Sequence, residues 1–315
     1  MATAEQLKSL IRSHLSDDAE QVAAHEAKQG HTALAHDIRN IVDNARKTKG
    51  AVVIRFPKDM LGLVFSENPG ISRSALVISK VLEERILRII HEYQQQHKLK
   101  SHGLSHRRKV LLIGPPGTGK TMTSKVLAYE LHLPLHTIQV DRLVTKFMGE
   151  TSSKLRQIFD LIQNETGVYL FDEFDAIGGE RSLENDVGEM RRVLNSFLQF
   201  IEQNSSDSII VAATNSPKLL DRALFRRFDD VMYYEQPTDD ERKRLIENVL
   251  GTYLPPRLAW KKIVSESRDL SHAEIDQACR DAIKNAILAE QSRVETNVLL
   301  NTLKERLDAH KGLRR

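Results

Sequence analysis

Leu7, Leu10, Ile11 and Leu15 recur at the three- and four-residue intervals of one helical face. Ser16-Asp17-Asp18 caps a second segment, and Gly30 separates a third that carries Leu34, Ile38, Ile41 and Val42. Residues 1–50 therefore predict a short N-terminal helical region. Pro57, Gly62, Pro69 and Gly70 interrupt residues 51–74, which read as a connector. From Ser74 onward, Leu76, Val77, Val81, Ile86, Leu87 and Ile90 predict one long amphipathic helix. The period then changes. Short β-branched and aliphatic runs at Val110 to Ile113, Leu135 to Val140, Val168 to Phe171, Ile209 to Ala213 and Val231 to Tyr234 alternate with helical segments. Such runs suit strands buried on both faces, so the alternation predicts an α/β fold with a parallel sheet flanked by helices. Beyond Pro237 the periodicity at 239–250 and 271–310 is helical throughout. The expected divisions are 1–50, 51–74, an α/β subdomain at 75–236 and an all-helical subdomain at 237–315.

Composition narrows this picture. A chain of 315 residues with 40% hydrophobic positions can build a sizeable core and is too apolar to remain disordered. Its 46 basic and 43 acidic residues leave a net charge of +3, too weak a field to imply a nucleic-acid partner. Charges also balance within residues 1–50, so that region suits a protein-binding or assembly element, or a plain structural extension. The single Cys279 excludes an internal disulfide framework and a multi-cysteine zinc site, and it reads as a small core residue. The opening Met1-Ala2-Thr3-Ala4-Glu5 lacks a basic start followed by an apolar stretch, and no uncharged apolar run approaches the ~18 residues of a membrane span. A soluble, cytoplasmic protein is expected.

The candidate chemistry begins at the first central strand. Gly114-Pro115-Pro116-Gly117-Thr118-Gly119-Lys120-Thr121 is a complete Walker A loop, placed between a strand and a helix that Met122 continues. Glycines let backbone amides turn inward around phosphate oxygens, and the helix N-terminus adds its positive dipole end. Lys120 reaches the terminal phosphates, and Thr121 offers a hydroxyl to Mg²⁺. The run Val168 to Phe171 leads into Asp172 and Glu173, the Walker B arrangement: Asp172 orients the Mg²⁺ shell and Glu173 polarises the water that attacks the γ-phosphate. A protein that only bound nucleotide would have no use for Glu173, so hydrolysis is favoured. Asn215, after the Ile209 to Ala213 strand, can hold that water or sense the γ-phosphate, or simply cap the strand. Arg226 and Arg227 stand just before the last strand. A chain needs no paired guanidinium there for its own nucleotide, whereas an arginine given to a neighbour's γ-phosphate stabilises transition-state charge. A solvated or salt-bridged pair is the alternative.

With these motifs the chain resembles the AAA+ ATPases, over roughly residues 75–310, and among them the small single-ring bacterial members of the protein-remodelling clade. The resemblance implies a P-loop NTPase fold with a five-stranded parallel sheet and a helical lid. ATP would lie in the cleft between them, in a homo-oligomeric ring, usually a hexamer, whose sites are completed by the next subunit. It makes Asn215 sensor 1 and Arg226 and Arg227 the arginine fingers. Leu270-Ser271-His272-Ala273-Glu274-Ile275 is similar to the family's Ser-Gly-Ala-Asp/Glu-Ile motif, which puts His272 and Ala273 beside the nucleotide, with His272 standing where the family has glycine. The family's Asp-Ile-Gly-Gly-like segment behind the adenine is replaced here by Leu63 to Gly70, so the adenine contacts stay unassigned.

Lys146, Phe147 and Met148, followed by Gly149, give an exposed aromatic–aliphatic pair on a loop after the second central strand. In the family this sequence lines a central pore and grips extended polypeptide; a buried Phe147 anchoring the loop is the alternative. A second, charged candidate pore segment runs from Gly178 to Gly188. His91-Glu92 with His97, like His31 and His36, misses the metalloprotease spacing, so any protease would be a separately encoded partner. The basic run Lys98, Lys100, Arg107, Arg108 and Lys109 reads as a solvated connector. Three readings stay open: an unfoldase or translocase acting on polypeptide, a nucleotide-switched scaffold that regulates a partner without threading, and a DNA- or RNA-associated motor.

Overall fold

The computed structural model describes residues 62–146, 150–178, 184–216 and 222–312. The N-terminal region at 1–50 and the Phe147-Met148 pair lie outside the described residues. Six strands form one sheet: β1 (Val64–Glu67), β2 (Lys109–Ile113), β3 (Leu135–Gln139), β4 (Val168–Asp172), β5 (Ile209–Thr214) and β6 (Asp230–Tyr233). Their order is β1-β3-β4-β5-β2-β6. The five strands β2 to β6 pair in parallel, and every residue of β5 is buried, as are Val110 to Ile113 and Val168 to Phe171. Strands covered on both faces need near-continuous apolar sequence, which is why these five were readable.

The sixth strand was not. β1 lies in the stretch read as connector and pairs antiparallel with β3, from Val64 opposite Ile138 to Glu67 opposite Leu135. Only Val64 of its four residues is buried, so the edge strand shows no alternation for a sequence pattern to catch. A second correction concerns the helix expected from Ser74. Residues Arg73–Ala75 form a 3-10 turn, Leu76 to Ser79 run on without helical structure, and α1 spans Lys80–Gln94. Ser79 sets that start, because its hydroxyl accepts from the Leu82 amide at 3.4 Å. Leu82, Ile86, Ile89 and Ile90 form the buried stripe, and Val81 is left 66% exposed.

Around the sheet pack α1, α2 (Lys120–Glu130), α3 (Thr151–Asn164) and α4 (Glu184–Gln203). On one face Phe159, Phe171, Phe174 and Phe197 interlock, with ring centroids 4.6 to 5.9 Å apart. The C-terminal helices α5 (Asp239–Leu250), α6 (Trp260–Glu266), α7 (His272–Leu288) and α8 (Thr296–Gly312) enclose a separate core that includes Ile246, Leu270, Ile275, Cys279 and Leu299, with Val77 reaching in from ahead of α1. Capping boxes start two of these helices, Thr238 with Glu241 at α5 and Ser271 with Glu274 at α7. In the basic run before β2, Lys98 and Lys100 are exposed as expected, but three members are paired: Arg107 with Glu92, Lys100 with Asp207 at 2.7 Å, and Arg108, which donates to the Ser206 carbonyl at 2.6 Å. Those partners are far apart in sequence, beyond the reach of a local charge pattern. Among the described residues no helix is long and apolar enough to cross a membrane.

His136 makes the fold sensitive to acid. It is fully buried on β3, with Nδ1 2.7 Å from the Ser66 hydroxyl and its ring 4.6 Å from that of Tyr169. Burial pushes its pKa down to about 4, and burial likewise lowers that of His106. Both rings take up protons near pH 6.5 when unfolded but only at lower pH when folded, so stability drains as pH falls below 6.5 and levels off below the folded pKa. Between pH 7 and 4, His136 alone should cost on the order of 3 kcal/mol. Urea denaturation across that range should reveal the loss, and His136→Gln should lose visibly less. Equal losses in the two proteins would exclude His136 as the cause.

Candidate nucleotide site

The C-terminal ends of β2, β4 and β5 open into a cleft of about 810 Å³ between the sheet and the C-terminal helices, a size that suits a nucleotide. Pro116, Gly117, Gly119, Lys120, Thr121 and Met122 line it from the loop and the first turn of α2. Asp172 and Glu173 enter from β4, Asn215 from β5, and His272 and Ala273 from the start of α7. Gly114, Pro115 and Thr118 stand behind the loop instead, where the Pro115 carbonyl accepts from the Thr118 hydroxyl at 2.8 Å. Gly114 allows a close approach there, since a Cβ on it would fall 2.3 Å from the Tyr234 carbonyl oxygen. Gly117 has φ +73°, and a Cβ on it would lie 2.6 Å from Ser271 Oγ. Its carbonyl accepts from the Ala273 amide at 3.0 Å, so the loop and the helical subdomain meet through a residue that has to be glycine.

Lys120 Nζ donates to the Gly114 and Pro115 carbonyls and to Asn215 Oδ1, each at 2.8 Å. Burial lowers its pKa, while the Asp172 and Asp175 carboxylates oppose that shift. An ammonium so placed can exchange neutral carbonyls for phosphate oxygens and gain charge-assisted bonds. The Thr121 hydroxyl donates to Asp172 Oδ2 at 3.0 Å, and Asp172 Oδ1 accepts from the Glu173 amide at 3.0 Å. One hydroxyl and one carboxylate side by side fit Mg²⁺, which takes few protein ligands alongside phosphate oxygens. Thr121 and Asp172 would hold that ion, and when bound it neutralises charge on the terminal phosphates.

Glu173 sits at φ +53°, a left-handed conformation that costs a non-glycine residue about 1 kcal/mol. Its neighbours impose that conformation: the Phe174 amide donates to the Ala213 carbonyl at 2.9 Å, and the Phe174 ring is fully buried. The turn directs an exposed carboxylate into the cleft. Asp175, which sequence reasoning missed, accepts from the Thr214 hydroxyl at 3.2 Å and from the Asn215 amide at 3.4 Å, and so ties β5 to the end of β4. Its place one residue beyond Asp172-Glu173-Phe174 was the available signal.

The other half of the cleft is apolar. Ile71, Leu76 and Val77 line it from ahead of α1, and Leu245 and Val249 from α5, while Asn248 donates to the Ser74 carbonyl at 3.1 Å. The segment expected at this position, Leu63 to Gly70, contains β1 and contributes nothing to the lining. Leu76 and Val77 fit the spacing of a helix that they do not join. His272 has both ring nitrogens buried and without a hydrogen-bond partner among the described residues. Burial lowers its pKa against the opposing charge of Glu241.

Arg226 and Arg227 lie elsewhere. Asp229 accepts from the Arg108 and Lys109 amides at 2.9 and 3.0 Å, and β6 then pairs Asp230 with Val110. The arginines are therefore at the N-terminal end of the sheet, whereas the phosphate loop leaves its C-terminal end. The five residues of β2 put about 16 Å between the two. Neither arginine lines the cleft; Arg226 is exposed, and Arg227 Nε lies 2.6 Å from Glu202 Oε1. Lys146 closes the short helix Val140–Lys146, and Phe147 and Met148 fall in the undescribed link to α3. The side chains of the charged segment from Gly178 to Gly188 are likewise outside the described residues.

Residues 110–236 match the family described as "ATPase family associated with various cellular activities (AAA)". Over 310 residues the chain is 32% identical to an uncharacterized AAA family ATPase of Sinorhizobium fredii, across 94% of this chain and 92% of that protein. It is 34% identical over 206 residues to a putative 26S proteasome regulatory subunit homolog of Methanothermobacter thermautotrophicus, across 63% and 55% of the two chains. To the ATP-dependent zinc metalloprotease FtsH 1 of Methylacidiphilum infernorum it is 27% identical over 266 residues, across 81% and 42%. Its match thus spans about half the length of these last two relatives. The crystal structure of the FIGL-1 AAA domain superposes on 83% of this chain and 96% of that one, with a TM-score of 0.62 at 20% identity, which shows a shared fold.

Proposed function

The chain belongs to the AAA family of ATPases, and from that membership we propose that it works as a ring-forming, ATP-driven motor that remodels a polypeptide substrate or protein partner. The observation that carries this reading is the place of Arg226 and Arg227, at the end of the sheet opposite the chain's own cleft. Arginines there can complete a nucleotide site only on another copy, which a closed homo-oligomeric ring, a hexamer in our reading, supplies at every interface. Within each cleft Lys120 and the loop amides hold the phosphates, Asp172 and Thr121 hold Mg²⁺, Glu173 takes charge of the attacking water and Asn215 orients it. Ala273, and His272 in the family's glycine position, close the cleft from the helical subdomain.

A polypeptide substrate is supported by the sequence Lys146-Phe147-Met148, between β3 and α3, and by the relatives named as proteasome regulatory and FtsH metalloprotease proteins. The partner is a protein such as a separately encoded protease, in the cytoplasm, with neither nucleic acid nor membrane required. Residues 1–50 serve as the assembly or partner-binding element, the ATPase subdomain runs to 236 and takes in β1 from the stretch read as connector, and 237–315 serve as the lid.

Phe147 provides the test. Its Ala variant should bind ATP and keep most basal hydrolysis, because Phe147 belongs to none of the phosphate- or Mg²⁺-binding motifs. It should fail to unfold a tagged protein substrate, since losing an aromatic contact costs about 1 to 3 kcal/mol at each gripping subunit. Phe147→Tyr keeps the ring face and should retain most of the unfolding. Remodelling by Phe147→Ala at the wild-type rate would rule out threading and favour the nucleotide-switched scaffold.

A further inference from the structure

Arg227 is held by its own chain. Glu202, the penultimate residue of α4, brings Oε1 to 2.6 Å from Arg227 Nε, with the two side chains 47% and 36% exposed. Both backbones are fixed by the fold rather than by this pair. The Arg227 amide donates to the Leu224 carbonyl at 3.0 Å, Phe228 is buried, and Asp229 is clamped onto the first residues of β2. At the other end, α4 closes with the Asn204 amide donating to the Phe200 carbonyl at 3.0 Å. Arg226, one residue away, is exposed and forms no ion pair among the described residues.

A guanidinium is a planar fork with five N–H donors. The contact at Nε is an ion pair that meets no hydrogen-bond geometry, so it restrains that edge of the guanidinium by charge, and among the described residues neither terminal nitrogen of Arg227 makes a hydrogen bond. The free end can therefore present two donors side by side, the arrangement that matches phosphate oxygens. An unrestrained arginine would have to give up its rotamer freedom each time a site is completed; one paired with a carboxylate has lost part of it beforehand. Because the pair is partly exposed, it holds Arg227 weakly enough for the side chain to adjust when phosphate arrives.

We propose that Glu202 is the positioning residue for Arg227, holding the guanidinium by its Nε edge so that its terminal nitrogens face the triphosphate of a neighbouring copy, which makes Arg227 the arginine of the pair that enters that site. This rests on the cross-subunit reading above. The test compares steady-state ATPase parameters and ADP affinity in full-length wild type, Glu202→Gln, Glu202→Asp, Arg227→Ala and the Glu202→Gln, Arg227→Ala double variant. Glu202→Gln should lower kcat about tenfold and leave KM and ADP affinity within about twofold, as expected when only positioning is lost. Glu202→Asp should recover part of kcat, and the double variant should be no slower than Arg227→Ala. Multiplying losses in the double variant, or wild-type kcat in Glu202→Gln beside an impaired Arg227→Ala, would overturn the assignment of Glu202 alone. A fully active Arg227→Ala would remove the assignment together with Arg227's role in cross-subunit catalysis.

Discussion

Glu173→Gln should bind ATP as tightly as the wild type and hydrolyse it at least ~100-fold more slowly. The amide copies the size of the carboxylate and can occupy the same left-handed backbone, which the buried Phe174 and its bond to Ala213 impose regardless of the side chain at 173. Asp172, Thr121 and Lys120 keep their mutual contacts, so the groups that hold phosphate and Mg²⁺ remain. Only basicity directed at the attacking water is removed. Fluorescent-nucleotide titration should therefore match the wild type while single-turnover hydrolysis collapses, and ATP held without hydrolysis should strengthen ring assembly. Near-wild-type turnover would strip Glu173 of its role.

That Lys120, Asp172, Glu173 and Asn215 would share one cleft was legible because parallel strands converge their ends. Lys120, Asp172 and Asn215 are far apart in sequence, yet each follows an apolar run, and such runs in an α/β pattern end on one edge of a sheet. Motif and topology then agree without knowledge of any contact. What escaped depends on partners that no local pattern announces. β1 buries a single residue, so it carries no period. Leu76 and Val77 fit the spacing of the following helix, but Ser79 caps that helix after them and leaves both free to line the cleft. Glu202 looks like one more acid at a helix end until the fold brings Arg227 against it. The substitution of histidine for glycine at 272 was visible as a departure, whereas the closing of protein around both ring nitrogens was not.

The position of the arginines leads to the largest expected effect. Replacing both Arg226 and Arg227 by alanine should lower turnover ~10³-fold, because the transition-state charge on the γ-phosphate loses its external counter-charge. Lys120→Ala should fail for a different reason, the loss of nucleotide affinity itself. If the arginines act across a subunit boundary, the two inactive proteins have complementary defects: one carries intact clefts, the other intact arginines. Random mixing places an intact cleft next to intact arginines at about one interface in four, so a preassembled mixture should recover up to about a quarter of wild-type activity. Turnover should then follow a bell-shaped dependence on the mixing ratio, with a maximum near equal amounts. The β2 strand that separates each chain's arginines from its own phosphate loop makes the opposite outcome informative as well. Full activity in a strictly monomeric preparation, or in the double-alanine protein, would mean that Arg226 and Arg227 serve the fold and not the neighbour's nucleotide.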